Sequence, residues 1–180
     1  AVLELWSGTK QTIGPAIEDG FYYDFDVSGK ITEEDLPQIE KKMREILKTW
    51  ECFEKQEVSE NEARNIFTEN EYKNELIDEI LERGEKLTLY KSGNYTDLCR
   101  GGHVDNIKKI DPESFKLDRV AGAYWRGDEK NKMLTRIYGL AFETKKELQK
   151  YLVRREEAKK RDHKKLGVEL DLFTFSDLVG

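Results

Sequence analysis

The sequence lacks what a membrane span, a disulfide scaffold or a multi-ligand metal site would need. Its apolar runs are only a few residues long, far short of the ~20 that cross a bilayer. It holds two cysteines, Cys52 and Cys99, too few for a disulfide framework, and two histidines, His103 and His163, which limit metal ligation. No charged n-region followed by an apolar h-region opens the chain, so a cytoplasmic location is expected. An excess of base is also missing. Thirty-one Lys and Arg stand against 37 Asp and Glu, for a net charge of −6. That balance counts against a uniformly basic nucleic-acid binder.

What is present suits a folded domain. The 180 residues are 38% charged and 37% hydrophobic, with eight Phe, eight Tyr and three Trp, enough to build a core. Ala1 to Trp6 is apolar, has no N-cap residue before it, and reads as the end of a helix. The chain is therefore expected to be a fragment whose parent continues upstream. Gly20 to Val27, rich in aromatics, predicts a strand. Thr32 and Asp35 in capping-box spacing precede an amphipathic helix whose regular part is expected to begin near Leu36. A short strand at Phe53–Val58 follows, then helices from Ser59 to about Phe67 and from Tyr72 to Leu81. Four more strand candidates, Leu87–Tyr90, Tyr95–Cys99, Phe115–Trp125 and Met133–Tyr138, are separated by turn residues. A last helix is expected from Thr144 to about Leu166, stopped by Gly167. The mixed order, without βαβ alternation, predicts an α+β fold with an antiparallel β-sheet packed against helices.

Charge is unevenly placed. Lys145 to Lys165 carries ten basic and four acidic residues, a net of +6, which leaves −12 for the rest of the chain. With few apolar residues, this helix is expected to project from the body, either as a solvated helix or as a linker beside a polyanion.

The strongest chemical signal is Asp97-Leu-Cys-Arg-Gly-Gly-His103. Cys99 and His103, four apart around a glycine pair, can face one point, where they could ligate a metal or orient a water. A tight turn with one buried thiol is the plainer alternative, and two ligands do not complete a zinc site. Cys52 is expected to be core or near-surface filler, and His163 a solvated residue of the basic helix. Tyr124-Trp125-Arg126 could stack bases or simply pack.

Five ordered motifs carry a resemblance. They are Gly14-Pro-Ala-Ile-Glu-Asp-Gly-Phe-Tyr-Tyr-Asp-Phe-Asp26, Tyr95-Thr-Asp-Leu-Cys-Arg-Gly-Gly-His103, Ala121-Gly-Ala-Tyr-Trp-Arg-Gly-Asp128, Lys132-Met-Leu-Thr-Arg-Ile-Tyr-Gly139 and Lys160-Arg-Asp-His-Lys-Lys-Leu-Gly167. Together they resemble the second N-terminal, editing domain and linker helix of bacterial-type threonyl-tRNA synthetases. The resemblance implies an editing domain over residues 1–143, a linker helix over 144–167 and the start of a class II catalytic core over 168–180. It implies hydrolysis of serine mischarged onto tRNA(Thr), within a parent that ligates threonine to tRNA(Thr) with ATP. Such editing answers a physical limit, since one methyl group gives a binding pocket only ~1–3 kcal/mol of discrimination.

The resemblance assigns Cys99, His103, Asp97 and Lys73 to hydrolysis, and Tyr23, Arg100 and Gly101 to substrate binding. Cys99 and His103 would position water, Asp97 and Tyr23 would order the substrate amine and terminal ribose, and Lys73 would stabilise developing negative charge. Two departures stand out. The family's His-x-x-x-His pair would fall just before Ala1, and Arg100-Gly101-Gly102-His103 replaces the usual Arg-Gly-Pro-His. Poor folding of the N-terminus and little deacylase activity are therefore expected of this chain alone. No metal or other cofactor is expected in the fragment, while ATP, magnesium and zinc would belong to the parent's core. Expected partners are the tRNA(Thr) acceptor end and the parent's other domains, with no membrane and a homodimeric parent. A non-catalytic tRNA-binding module and a free-standing trans-editing deacylase are the competing readings.

Overall fold

The computed structural model describes residues 1–161. Two antiparallel sheets share the helices between them. The larger sheet contains β1 (Lys10–Gln11), β2 (Ala16–Ile17), β3 (Gly20–Asp26), β7 (Phe115–Tyr124) and β8 (Met133–Ala141), with the order β1-β3-β8-β7 and β2 against β3. The smaller one runs β4 (Glu54–Glu57), β5 (Thr88–Ser92), β6 (Tyr95–Leu98). The α+β class holds, but the strands divide between two sheets. The two-residue strands β1 and β2 carry too short a pattern to be read from sequence.

Helix α1 (Val2–Leu5) puts Val2 into the first core beside Leu36 and Ile39, so the N-terminus is packed. Helix α2 (Leu36–Thr49) follows a 3-10 turn at Glu33–Asp35 whose Thr32 box is made as expected. Pro37 lies in its first turn, where a missing N–H costs nothing. Its apolar face covers one side of the larger sheet around Leu117 and Ile137.

Helices α3 (Glu60–Ile66) and α4 (Glu71–Glu82) cover the smaller sheet through Ala63, Phe67, Ile77 and Leu89. Helix α4 also sends Tyr72 the other way, onto Leu134 of the larger sheet and Trp125 of its β7–β8 connection. It therefore bridges the two sheets, and the residue after Tyr72 sits at their junction.

Helix α5 (Lys145–Lys160) starts at a complete Thr144–Glu147 capping box. As far as Arg155 it is docked rather than projecting: Leu148 is buried, Tyr151 packs on Phe142, and Arg155 pairs with Asp118 at 2.6 Å. The helix end expected at Leu166–Gly167, His163, and the proposed segment 168–180 lie outside the described residues.

Candidate active site

The junction of the sheets is built around Asp97. Strand β6 pairs with β5 in a register that sets Asp97 opposite Tyr90. The Asp97 Oδ1 atom accepts from Lys73 Nζ at 2.5 Å, Gln11 Nε2 at 3.2 Å and the Leu98 amide at 2.8 Å. Its Oδ2 accepts from the hydroxyls of Tyr23 at 2.6 Å and Tyr95 at 2.9 Å. A carboxylate offers about four lone-pair sites, so these donors occupy all of them. They converge from four elements: Lys73 from α4, Tyr23 from β3, Gln11 from β1, and Tyr95 and the Leu98 amide from β6 itself. Lys73 is 2% exposed, so its ammonium depends on this partner. Burial pushes both phenols well above their ordinary pKa, which keeps them protonated donors.

Beyond β6 the chain takes a looser course. The Cys99 amide still donates to Thr88 at 3.1 Å, and Thr88 Oγ1 donates to the Cys99 carbonyl. Gly101 and Gly102 then adopt φ of +118° and +88°. Proline is fixed near −65°, so the Gly102 backbone follows a path closed to an Arg-Gly-Pro-His sequence. The turn brings the exposed His103 back between the rings of Phe53 and Tyr90, at centroid distances of 4.4 and 4.2 Å. Its Nε2 lies 3.6 Å from Cys99 Sγ. Partial desolvation holds the imidazole below its ordinary pKa and favours the neutral form.

Tyr23, Lys73, Asp97, Cys99, Arg100, Gly101 and His103 all line one cavity of about 700 Å³. Every residue that the resemblance assigns to hydrolysis or substrate binding is thus brought to the same place. Tyr95 and Gln11 were missed. Tyr95 carried a usable signal, because positions two apart in a strand share a face; Gln11 carried none. Among the described residues no group of three His, Cys, Asp or Glu could hold a metal ion, so Cys99 and His103 stand as a pair.

Trp125 does not present its ring for stacking. It is buried on Tyr72 and donates to Glu75 at 2.8 Å, while Arg126 donates to Glu75 at 3.0 Å and also to Glu79. Cys52 is exposed.

Residues 87–138 match the threonyl and alanyl tRNA synthetase second additional domain. The chain carries that match over these residues. It is 56% identical over all 180 residues to the threonine–tRNA ligase of Borrelia turicatae, of which it spans 31%. It is 57% identical over the same length to that of Borrelia hermsii, again spanning 31%. With the threonine–tRNA ligase of Rubrobacter xylanophilus it shares 56% identity over 176 residues, 98% of this chain and 27% of that protein. The chain thus spans about a third of the curated relatives it matches. Within the second additional domain, the matched segment holds Asp97, Cys99 and His103. Tyr23 and Lys73 fall outside that segment but inside the full-length similarity. No helix of the described residues is long and apolar enough to cross a membrane.

Proposed function

We propose that this chain is the editing region of a threonine–tRNA ligase, and that the 700 Å³ cavity hydrolyses the ester of serine mischarged onto tRNA(Thr). The observation that carries the reading is the convergence of Cys99 and His103 with the Asp97–Lys73–Tyr23 cluster on that one cavity. Water adds to the acyl carbon, the bond from that carbon to the ribose oxygen breaks, and serine and a free 3′ end leave. Neutral His103, beside Cys99, accepts the water proton and returns it to the departing ribose oxygen. Lys73 stabilises the charge that develops on the carbonyl oxygen.

Asp97 has another task than the resemblance suggests. All its acceptor sites are filled, so a substrate ammonium would have to displace Lys73 or a phenol. Asp97 therefore orients Lys73 and Tyr23, which meet the substrate.

The remaining readings belong to the longer protein. The cavity receives the acceptor end of tRNA(Thr) held by other domains of a cytoplasmic, homodimeric ligase, with no membrane partner. Residues 1–143 form the editing unit, 144–167 the linker helix and 168–180 the approach to the core. That core, and not this chain, uses ATP, magnesium and zinc.

The test is deacylation of Ser-tRNA(Thr) and Thr-tRNA(Thr) by the chain joined to an upstream segment carrying His-x-x-x-His. Serine should be released faster than threonine, and Cys99→Ala with His103→Ala should remove at least about 100-fold of the rate. Unchanged serine release in that double variant would sink the reading.

A further inference from the structure

One side of the cavity mouth is a chain of ion pairs of alternating sign. Arg126, on the β7–β8 connection, bonds Glu79; Glu79 pairs with Arg83 at 3.8 Å; Arg83 donates to Glu85 at 2.8 Å; and Arg100 donates to the same Glu85 oxygen at 3.2 Å. Glu79, Arg83, Glu85 and Arg100 all line the cavity. Arg126 takes the left-handed backbone conformation, φ +59°, which is costly for a residue with a side chain.

These pairs do little for stability. Side chains of Arg83 and Arg100 are 45% and 73% exposed, and ion pairs at such positions contribute only ~0–1 kcal/mol. Glu85 is shared by two guanidinium groups, and its bond to Arg100 is Arg100's only one among the described residues. Each guanidinium has a planar fork of five donors that matches a phosphate better than a shared carboxylate oxygen. The acidic remainder of the chain, at −12, repels a polyanion. Within that remainder, a locally arginine-rich edge is where a polyanion could be accepted.

We infer that Arg83, Arg100 and Arg126 form a phosphate track. On it, the backbone of a single-stranded RNA 3′ end exchanges with Glu79 and Glu85 as it enters the cavity. The inference rests on the aminoacyl-tRNA reading above for its partner, but it concerns binding, not hydrolysis. Glu79 and Glu85, with Glu75 as a second partner of Arg126, hold the guanidinium groups at the mouth in the free protein, and Glu79 and Glu85 give them up to phosphate. The carboxylates thus compete with RNA, which a purely structural ion-pair chain would not do.

The test uses the chain and a short 5′-labelled RNA ending in CCA, with binding followed across a salt series. Arg83→Gln and Arg100→Gln should each weaken binding and reduce the slope of log K against log salt by about 0.7. Glu85→Gln should tighten binding, by up to about fivefold. Thermal melts check that each variant is folded. A folded Glu85→Gln variant that binds no more tightly, or an unchanged slope in both arginine variants, would overturn the track. So would inorganic phosphate displacing the RNA at equal phosphate concentration, which would mark a simple anion site. None of these readouts needs an ester, so failure of hydrolysis and failure of the track are separable.

Discussion

Asp97 and His103 lie on one short stretch of chain and face the same cavity, yet they are held by different means. Asp97 is at the end of a paired strand, with donors arriving from β1, β3, β6 and α4 on both of its oxygens. His103 stands on irregular backbone beyond two left-handed glycines, kept by two ring contacts and a 3.6 Å approach to a thiol. The first arrangement resists change because removing any member strands a buried polar group. The second costs little to deform. The proposed hydrolysis would use both: a fixed frame to hold charge and orientation, and an adjustable pair for the proton transfer.

Substitutions at the frame should act on stability, and unequally. Asp97→Asn leaves the Lys73 ammonium buried without its counter-charge and should cost about 3–5 kcal/mol, read as a lower urea midpoint. Lys73→Met removes the charge that needs a partner, while Asp97 retains four other donors, so its cost should be clearly smaller. Equal losses in the two variants would show that Asp97 is not the hub. Tyr95→Phe should cost about 1.5 kcal/mol, as expected for one hydrogen bond to a charged group, with Tyr23 still serving the same oxygen. The double variant with Tyr23→Phe should lose more than the two single losses combined, because that oxygen then has no hydroxyl donor.

This contrast also explains which parts were legible in the sequence. Cys99, Gly101, Gly102 and His103 are contiguous, so their meeting depends on a local turn that spacing alone suggests. Asp97, Lys73 and Tyr23 are joined only through the packing of α4 across two sheets, and the sequence alone reached them by resemblance to a family. Gln11 comes from a strand of two residues, too short for any periodic signal. Helix boundaries were readable where a capping box fixes them, as at Ser59 and Thr144. The docking of α5 was not, because Arg155 reads as one more charge in a basic run until Asp118 is found beside it.

On the looser side, acid should affect rate more than stability. The imidazole of His103 titrates below its ordinary value because partial burial penalises the charged form. As pH falls, the unfolded chain takes up this proton first. The contribution to stability is therefore intact above the ordinary histidine value, declines below it, and is fully lost once pH has dropped through the lower, folded one. That loss is small for an exposed ring. Deacylation, by contrast, should fall about tenfold per pH unit below the folded value, since only neutral imidazole accepts the proton. A pH–rate profile with its acidic inflection at or above 6.5 would contradict the desolvated placement between Phe53 and Tyr90.

The smallest effect on stability should come from Gly102→Pro. Nothing lies within 4 Å of where a side chain would begin, and the residue is exposed, so no packing is lost. Its φ of +88° must nevertheless change sign to accept the ring, which re-aims the backbone leading to His103. The melting temperature should move by only a few degrees, corresponding to less than about 1 kcal/mol. The thiol reports the rest: in a Cys52→Ser background, alkylation of Cys99 should change rate as the imidazole leaves its 3.6 Å position. A large drop in melting temperature with an unaltered alkylation rate would mean that the loop is part of the frame after all. The two halves of the cavity wall would then be one rigid unit.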